Sequence, residues 1–397
     1  MSILSSSPLS VDNNVAMNSI SPTFSTLIAP LEMQLSHLTP LVSRSNRSLD
    51  FTFAHQVHAL VYYHTEAFTS GQDLLQAAQT DPFVRAVPDT GLGESTFYEA
   101  NAQRGSQQMF ELVDRLAKQA SKRLKIAYPE LGPLVALDGS LIEACLSMRW
   151  AEYSSTHRKA KAHLGFDLNY GLPRRMALTE GKGAERPFVS ILLEPGETGV
   201  LDRGYVDYQR FDAWIDEGKH FVARLRKNAQ REILEHRPIP QGTAIFFFAK
   251  VRLGDDTHPM QHPLFLVGFK ARGKIYWVAT DRADLSAEQI AFMFSLRWQI
   301  ETFFAWWKRH LDVYHLLSRN PHGVLLQLLA GLVTYLLLVL YFHQRYGERP
   351  SIRRLREMRR HIRQEVARAY LPVYHMDIEQ LLCLCVFLLG VHAQAKS

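Results

Sequence analysis

The chain has 397 residues, 47% of them hydrophobic, with a formal net charge of +6. That length and apolar content exclude a disordered chain and allow two or three domains around a sizeable core. Its three cysteines, Cys145, Cys383 and Cys385, show no His/Cys spacing for a zinc site and are too few for a disulfide framework, which fits a reducing cytoplasm.

Residues 1–48 hold twelve serines with scattered prolines and no basic start before an apolar core. They read as a mobile tail with a few helical turns at most, and not as a signal peptide. Residues 49–130 predict four short helices, at Phe51–Thr65, Gly71–Thr80, Glu94–Ala102 and Gln107–Arg123, separated by Asp-Pro and Gly-x-Gly punctuation. Such a set suits a helical DNA-binding domain. Within it, Ser95, Thr96, Tyr98, Asn101 and Arg104 could reach a DNA groove, although an ordinary surface helix gives the same pattern.

The pattern changes at residue 131. Leu134–Leu137 is an apolar run ending in Asp138-Gly, which predicts a buried strand. A strand follows at His157–Leu168, where His157, Lys159, Lys161 and His163 alternate with Arg158, Ala160, Ala162 and Leu164 and so share one face. Then come a strand (Arg174–Thr179), a helix (Glu185–Leu193), a strand (Gly199–Leu201, ending at Asp202), a helix (Tyr208–Glu217) and a strand (His220–Leu225). Three strands joined by tight turns, then strands joined by helices, is the element order of an α/β, ribonuclease H-like mixed sheet flanked by helices, here spanning 131–226.

Residues 227–279 predict a β-rich insertion, with β-type runs at Thr243–Arg252, Pro263–Phe269 and Lys274–Ala279. The second part of the α/β domain, 280–345, opens with one long helix, N-capped by Ser286 and running to about Leu311. Val324–Phe342 is almost wholly apolar; a buried central helix and a single membrane span read alike here, and Gln327, Thr334 and Tyr335 favour the former. Residues 346–397 predict basic and apolar C-terminal helices: nine arginines against three glutamates between His343 and Arg368, then an apolar helix at Ile378–Val391.

Asp138 and Asp202 each end an apolar strand, where an α/β sheet gathers its ligands, and two such carboxylates suit a hard divalent cation such as Mg²⁺. Taken singly, each could instead cap a turn. On the predicted long helix, Phe294, Arg297, Glu301 and Lys308 fall at spacings of three, four and seven and share one face. A polar stripe on so apolar a helix points to a site that it lines.

These residues resemble a known family. Arg297-x3-Glu301-x6-Lys308, within FSLRWQIETFFAWWK, is similar to the Tyr-x2-Arg-x3-Glu-x6-Lys signature of insertion-sequence-4 transposases, whose catalytic domain is ribonuclease H-like and of the DDE type. LDG at Asp138, KAHLGFD, and LDRGY at Asp202 resemble the family's strands, in order, across about 131–345. Phe294 stands where the family has Tyr. The resemblance implies a DNA transposase that cuts transposon ends and joins them to target DNA, with Asp138, Asp202 and Glu301 catalytic and holding two Mg²⁺ ions, with Mn²⁺ as a substitute. It implies DNA-phosphate binding by Arg297 and Lys308, and also by Lys159, Lys161 and His163. Trp298 is a base-stacking candidate or a core residue. The implied partners are DNA, both transposon terminal repeats and target, and a second copy of the chain. The expected place is the bacterial cytoplasm on the nucleoid, with no membrane. The other readings are an inactive, repurposed DNA-binding relative, a nuclease of the same fold, and a single-span membrane protein.

Overall fold

The computed structural model describes residues 21–41, 49, 51–80, 93–254 and 259–370. The expected helix Ile378–Val391 lies outside them, as do Cys383 and Cys385. Nine strands form one continuous sheet in the order β3-β2-β1-β4-β5-β9-β8-β7-β6. β1 (Leu134–Ala144), β2 (Arg158–Asp167) and β3 (Leu172–Glu180) are an antiparallel meander. β4 (Thr198–Leu201) and β5 (His220–Arg224) join β1 in parallel. This mixed order is the ribonuclease H-like arrangement that the element sequence implied.

The strands after residue 227 do not form a separate small sheet. β9 (Lys274–Thr280) pairs with β5, and β8 (Leu264–Ala271), β7 (Ile245–Leu253) and β6 (Arg231–His236) extend the same ladder outward. β6 has no counterpart among the expected strands. Its residues are mostly exposed, so an edge strand of this kind shows little apolar periodicity.

Eleven helices are described. In the first third these are α1 (Pro22–Leu35), α2 (Phe53–Glu66), α3 (Gly71–Thr80), α4 (Glu94–Gln103) and α5 (Ser106–Ser121). α1 corrects the expectation of a few turns in a mobile tail: Phe24, Leu27, Ile28 and Leu31 are buried, and Thr23 ties it to Glu365. On α4, Ser95 and Thr96 are exposed, but Asn101 is buried against Gln56 and Arg104 donates to the Phe51 carbonyl. Those two side chains hold the helix in place and do not face a groove.

α6 (Val189–Leu192) and α7 (Tyr208–Asp216) cover one sheet face, packing Leu192, Phe211 and Trp214 on Val135, Leu137, Leu201 and Phe221. α8 (Ala287–Leu296), α9 (Trp298–His310) and α10 (Pro321–Tyr346) lie toward the other. The single long helix expected from Ser286 is thus two. Ser286 caps α8 with a reciprocal bond to Gln289, as its sequence implies. The chain then tightens at Arg297, where Arg297 N–H bonds the Phe294 carbonyl and Ile300 N–H bonds the Arg297 carbonyl, each three residues back. Apolar periodicity continues through the break, which is why sequence alone does not reveal it.

α10 is the apolar run. It is buried on nearly all sides, with 94% of its most apolar stretch inside the protein. It packs against α1, α2, α4, α5 and β3. Its polar groups are satisfied internally: Gln327 donates to the His315 carbonyl and accepts from Leu317 N–H, and Thr334 donates to the Ala330 carbonyl. Burial against protein neighbours on nearly all sides is what a core helix shows, and it favours the buried-core reading of this run. α11 (Ile352–Tyr370) buries Leu355, Met358, Ile362 and Val366; Arg353, Arg356, Arg360, Arg363 and Arg368 are exposed, whereas Arg359 points inward and donates to the Thr65 and His310 carbonyls.

Two predictions follow from this packing. A Cβ on Gly331 of α10 would lie 2.7 Å from Val313 Cγ1 and 2.9 Å from Trp307 Nε1. Gly331→Val should therefore push α10 off α9 and cost about 1–3 kcal/mol in urea unfolding. His64, fully buried between the Leu311 and Gln327 carbonyls, has its pKa lowered by burial to about 4. Its folded value lies below its unfolded one, so its contribution is complete above pH 6.5 and is lost as pH falls from 6.5 toward 4. The urea midpoint should drop across that window, less steeply in His64→Gln.

Candidate active site

Strand register places the two aspartates side by side. Leu137 pairs with Leu201, and Leu201 with Ala223, across three parallel strands. The next residue on each strand is Asp138, Asp202 or Arg224. One row across the sheet therefore holds two carboxylates and a guanidinium; Asp202 and Arg224 stand at strand ends, but Asp138 does not end its strand as the sequence suggested, because β1 continues to Ala144 paired with β2. Arg224 Nη1 lies 3.4 Å from Asp202 Oδ1. Arg224 escaped the sequence reading, although it closes the apolar strand β5.

The third carboxylate arrives from α9. Arg297, at the α8–α9 break, reaches Glu301 Oε1 at 2.7 Å and Asp138 Oδ2 at 3.9 Å. Glu301 is thus brought to Asp138 through a shared arginine. Asp138 is pushed up to about 6, by burial first, opposed by Arg297 and by the Gly139 N–H, with Glu185 and Glu301 adding to the rise. Phe294 is nearly buried, its ring 5.8 Å from Tyr276 and 5.8 Å from the Arg297 guanidinium carbon.

Lys308 sits two turns along α9 and donates to the Leu141 carbonyl of β1; burial lowers its pKa. Lys159 pairs with Glu143, and Lys161 donates to the Gly183 carbonyl while lying 3.5 Å from Glu185. His163 overturns its expected role. It is 0% exposed, stacked on Phe188 at 4.3 Å, bonded to Thr179, and burial lowers its pKa to about 4. A neutral, enclosed imidazole offers no charge or surface to a phosphate. It shares the face of Lys161, but α6 and its lead-in cover that part of the face, which alternation along a strand does not foresee. Trp298 is 63% exposed, so it is no core residue.

Tyr205, from the LDRGY segment, was also missed. Its hydroxyl is buried without a partner, and burial, Glu185, Asp138 and Asp202 all raise its pKa. Glu301 Oε2 and Arg297 Nε are buried without partners too. Among the described residues no three His, Cys, Asp or Glu groups come close enough together to hold an ion. Arg297 and Arg224 lie against the carboxylates. The donor set nonetheless fits a hard divalent cation: oxygens only, one of them unpartnered, and an aspartate whose ionisation burial opposes and a cation would favour.

Comparison with known proteins identifies the family. The transposase DDE domain model matches residues 129–337, more than half of the chain, and that stretch contains Asp138, Asp202 and Glu301. A protein of Sinorhizobium fredii named as transposase y4zB is 29% identical over 255 residues, 62% of this chain and 70% of its own length. A Geobacillus stearothermophilus protein, named as a transposase for insertion sequence element IS5377, is 26% identical over 57% of this chain and 60% of its own. A Synechocystis protein, named as a transposase for insertion sequence element IS4SA, is 26% identical over 62% of this chain and 71% of its own. The chain belongs to the transposase DDE domain family and is a DNA transposase, an enzyme that cuts DNA with the help of divalent metal.

Proposed function

We propose that Asp138, Asp202 and Glu301 are the catalytic carboxylates and that they hold two divalent ions, Mg²⁺ or in its place Mn²⁺. The observation that carries this reading is the register that sets Asp138 beside Asp202, with Arg297 3.9 Å from Asp138 and 2.7 Å from Glu301. Bound there, the ions would activate the attacking oxygen and offset charge on the leaving oxygen at phosphorus. The chain's own residues do the rest. Arg297 keeps Asp138 and Glu301 close while their charges repel. Lys308, partly desolvated beside β1, supplies positive charge to a phosphate next to the scissile bond. Lys161 and Lys159 extend that charge along β2, and exposed Trp298 stacks on an unpaired base.

In this reading the enzyme is of the insertion-sequence-4 type. It cuts the terminal repeats of its transposon and joins them to target DNA, acting as a homodimer on DNA in the bacterial cytoplasm. The helices between residues 53 and 121 recognise the ends, and the 131–345 region performs the chemistry around its β-rich extension. The basic face of α11 adds affinity: Arg356 and Arg360 are exposed and have no carboxylate partner among the described residues.

Asp138→Asn, Asp202→Asn and Glu301→Gln should each lower Mn²⁺-dependent cleavage of end-bearing duplexes by at least about a hundredfold, while DNA binding and the melting temperature hold. A wild-type chain that binds these ends and cuts nothing would favour the repurposed, binding-only relative. Cleavage without strand-transfer products would favour a nuclease. The Arg356→Ala/Arg360→Ala double variant should flatten the plot of log affinity against log salt by roughly two units, about 0.9 per lost phosphate contact. An unchanged slope removes α11 from the DNA interface.

A further inference from the structure

A fourth carboxylate reaches the middle of β1 and the end of β4 from the opposite sheet face. Asp138 and Gly139 point to opposite sides of β1, and the side of Gly139 belongs to the core that includes Val135, Leu137 and Tyr205. Glu185 enters there, just before α6. Its Oε1 lies 3.0 Å from where a Cβ on Gly139 would stand, and its Oε2 lies 2.8 Å from where a Cβ on Gly204 would stand. These two glycines follow Asp138 and Asp202 by one and two residues. The carboxylate thus sits between the two aspartate-bearing segments, in space that any side chain at either glycine would take.

Its surroundings ask for more than a surface ion pair. Lys161 stands 3.5 Å from Oε1 but donates its shorter bond, 2.9 Å, to the Gly183 carbonyl. The Glu185 side chain is 24% exposed, so it is largely withdrawn from water. Beside it Tyr205 is 1% exposed, and its hydroxyl has no hydrogen-bond partner. A buried phenol without an acceptor is unfavourable, and a small movement of a neighbouring carboxylate would satisfy it.

We infer that Glu185 is a fourth oxygen donor toward the divalent cation held by Asp138 and Asp202, and that the Tyr205 hydroxyl orients its carboxylate. The inference rests on the catalytic assignment above, and binding of Mn²⁺ alone to the full-length chain separates the two. Free Mn²⁺ is followed by electron paramagnetic resonance, and folding by melting temperature. Glu185→Gln should weaken Mn²⁺ binding at least tenfold at an unchanged melting temperature, and Tyr205→Phe should weaken it by a smaller factor. Asp138→Asn serves as the reference and should also lose binding. Should Glu185→Gln fail to fold, Glu185→Asp carries the test, since it keeps the charge beside Lys161 but withdraws the oxygens. Affinity within twofold of wild type in the folded Glu185 variant, with binding lost in Asp138→Asn, overturns the role of Glu185. Wild-type affinity in Asp138→Asn overturns the underlying catalytic assignment instead.

Discussion

Like charges cannot be crowded into a half-dry cleft without something between them, and here Arg297 fills that place. Asp138 and Glu301 come from elements far apart in the chain, a central strand and a helix beyond the β extension. Arg297, only 12% exposed at its side chain, contacts both. At low local dielectric the repulsion between two carboxylates grows, and so does the attraction to a guanidinium between them. The break between α8 and α9 follows the same logic. It frees Arg297 from the regular helix and points Glu301 and Lys308 toward β1.

Much of this was legible in the sequence, for identifiable reasons. Asp138 and Asp202 stand out because each interrupts an apolar run at its end, and buried strands in α/β sheets announce themselves by such runs. Glu301 was legible from the stripe that it shares with Arg297 and Lys308. What stayed hidden is whatever depends on elements meeting across the sheet. Nothing in the run leading to α6 marks Glu185 as a neighbour of Gly139 and Gly204, because that proximity arises from β4 pairing with β1. His163 misled for the same reason: alternation gives its face but not what covers that face. α1 was missed because its serine- and proline-rich setting hides a helix whose apolar stripe is only four residues long. Its stability comes from docking on other elements, not from local propensity.

The β extension shows how the fold keeps a long insertion from disturbing the chemistry. β9 pairs directly with β5, so the added strands continue an existing ladder beside Arg224. Arg224 in turn lies 5.0 Å over the ring of Tyr276 on β9, which links the row of charges across the sheet to the extension. A sheet lengthened in this way transmits position rigidly, because each strand's register is fixed by its neighbour and by the faces that it buries.

α10 carries a consequence for how such proteins diversify. The stretch matched by the DDE family model ends at residue 337, inside this helix, which runs to Tyr346. The same helix is the surface on which α1, α2, α4 and α5 are packed. No peptide bond separates the first third of the chain from the rest without exposing one side of a shared core. Swapping that third between relatives by recombination would strand leucines on both products. Change in this third should therefore come through point substitutions on exposed helix faces, slowly and in place, and not through exchange of the whole third.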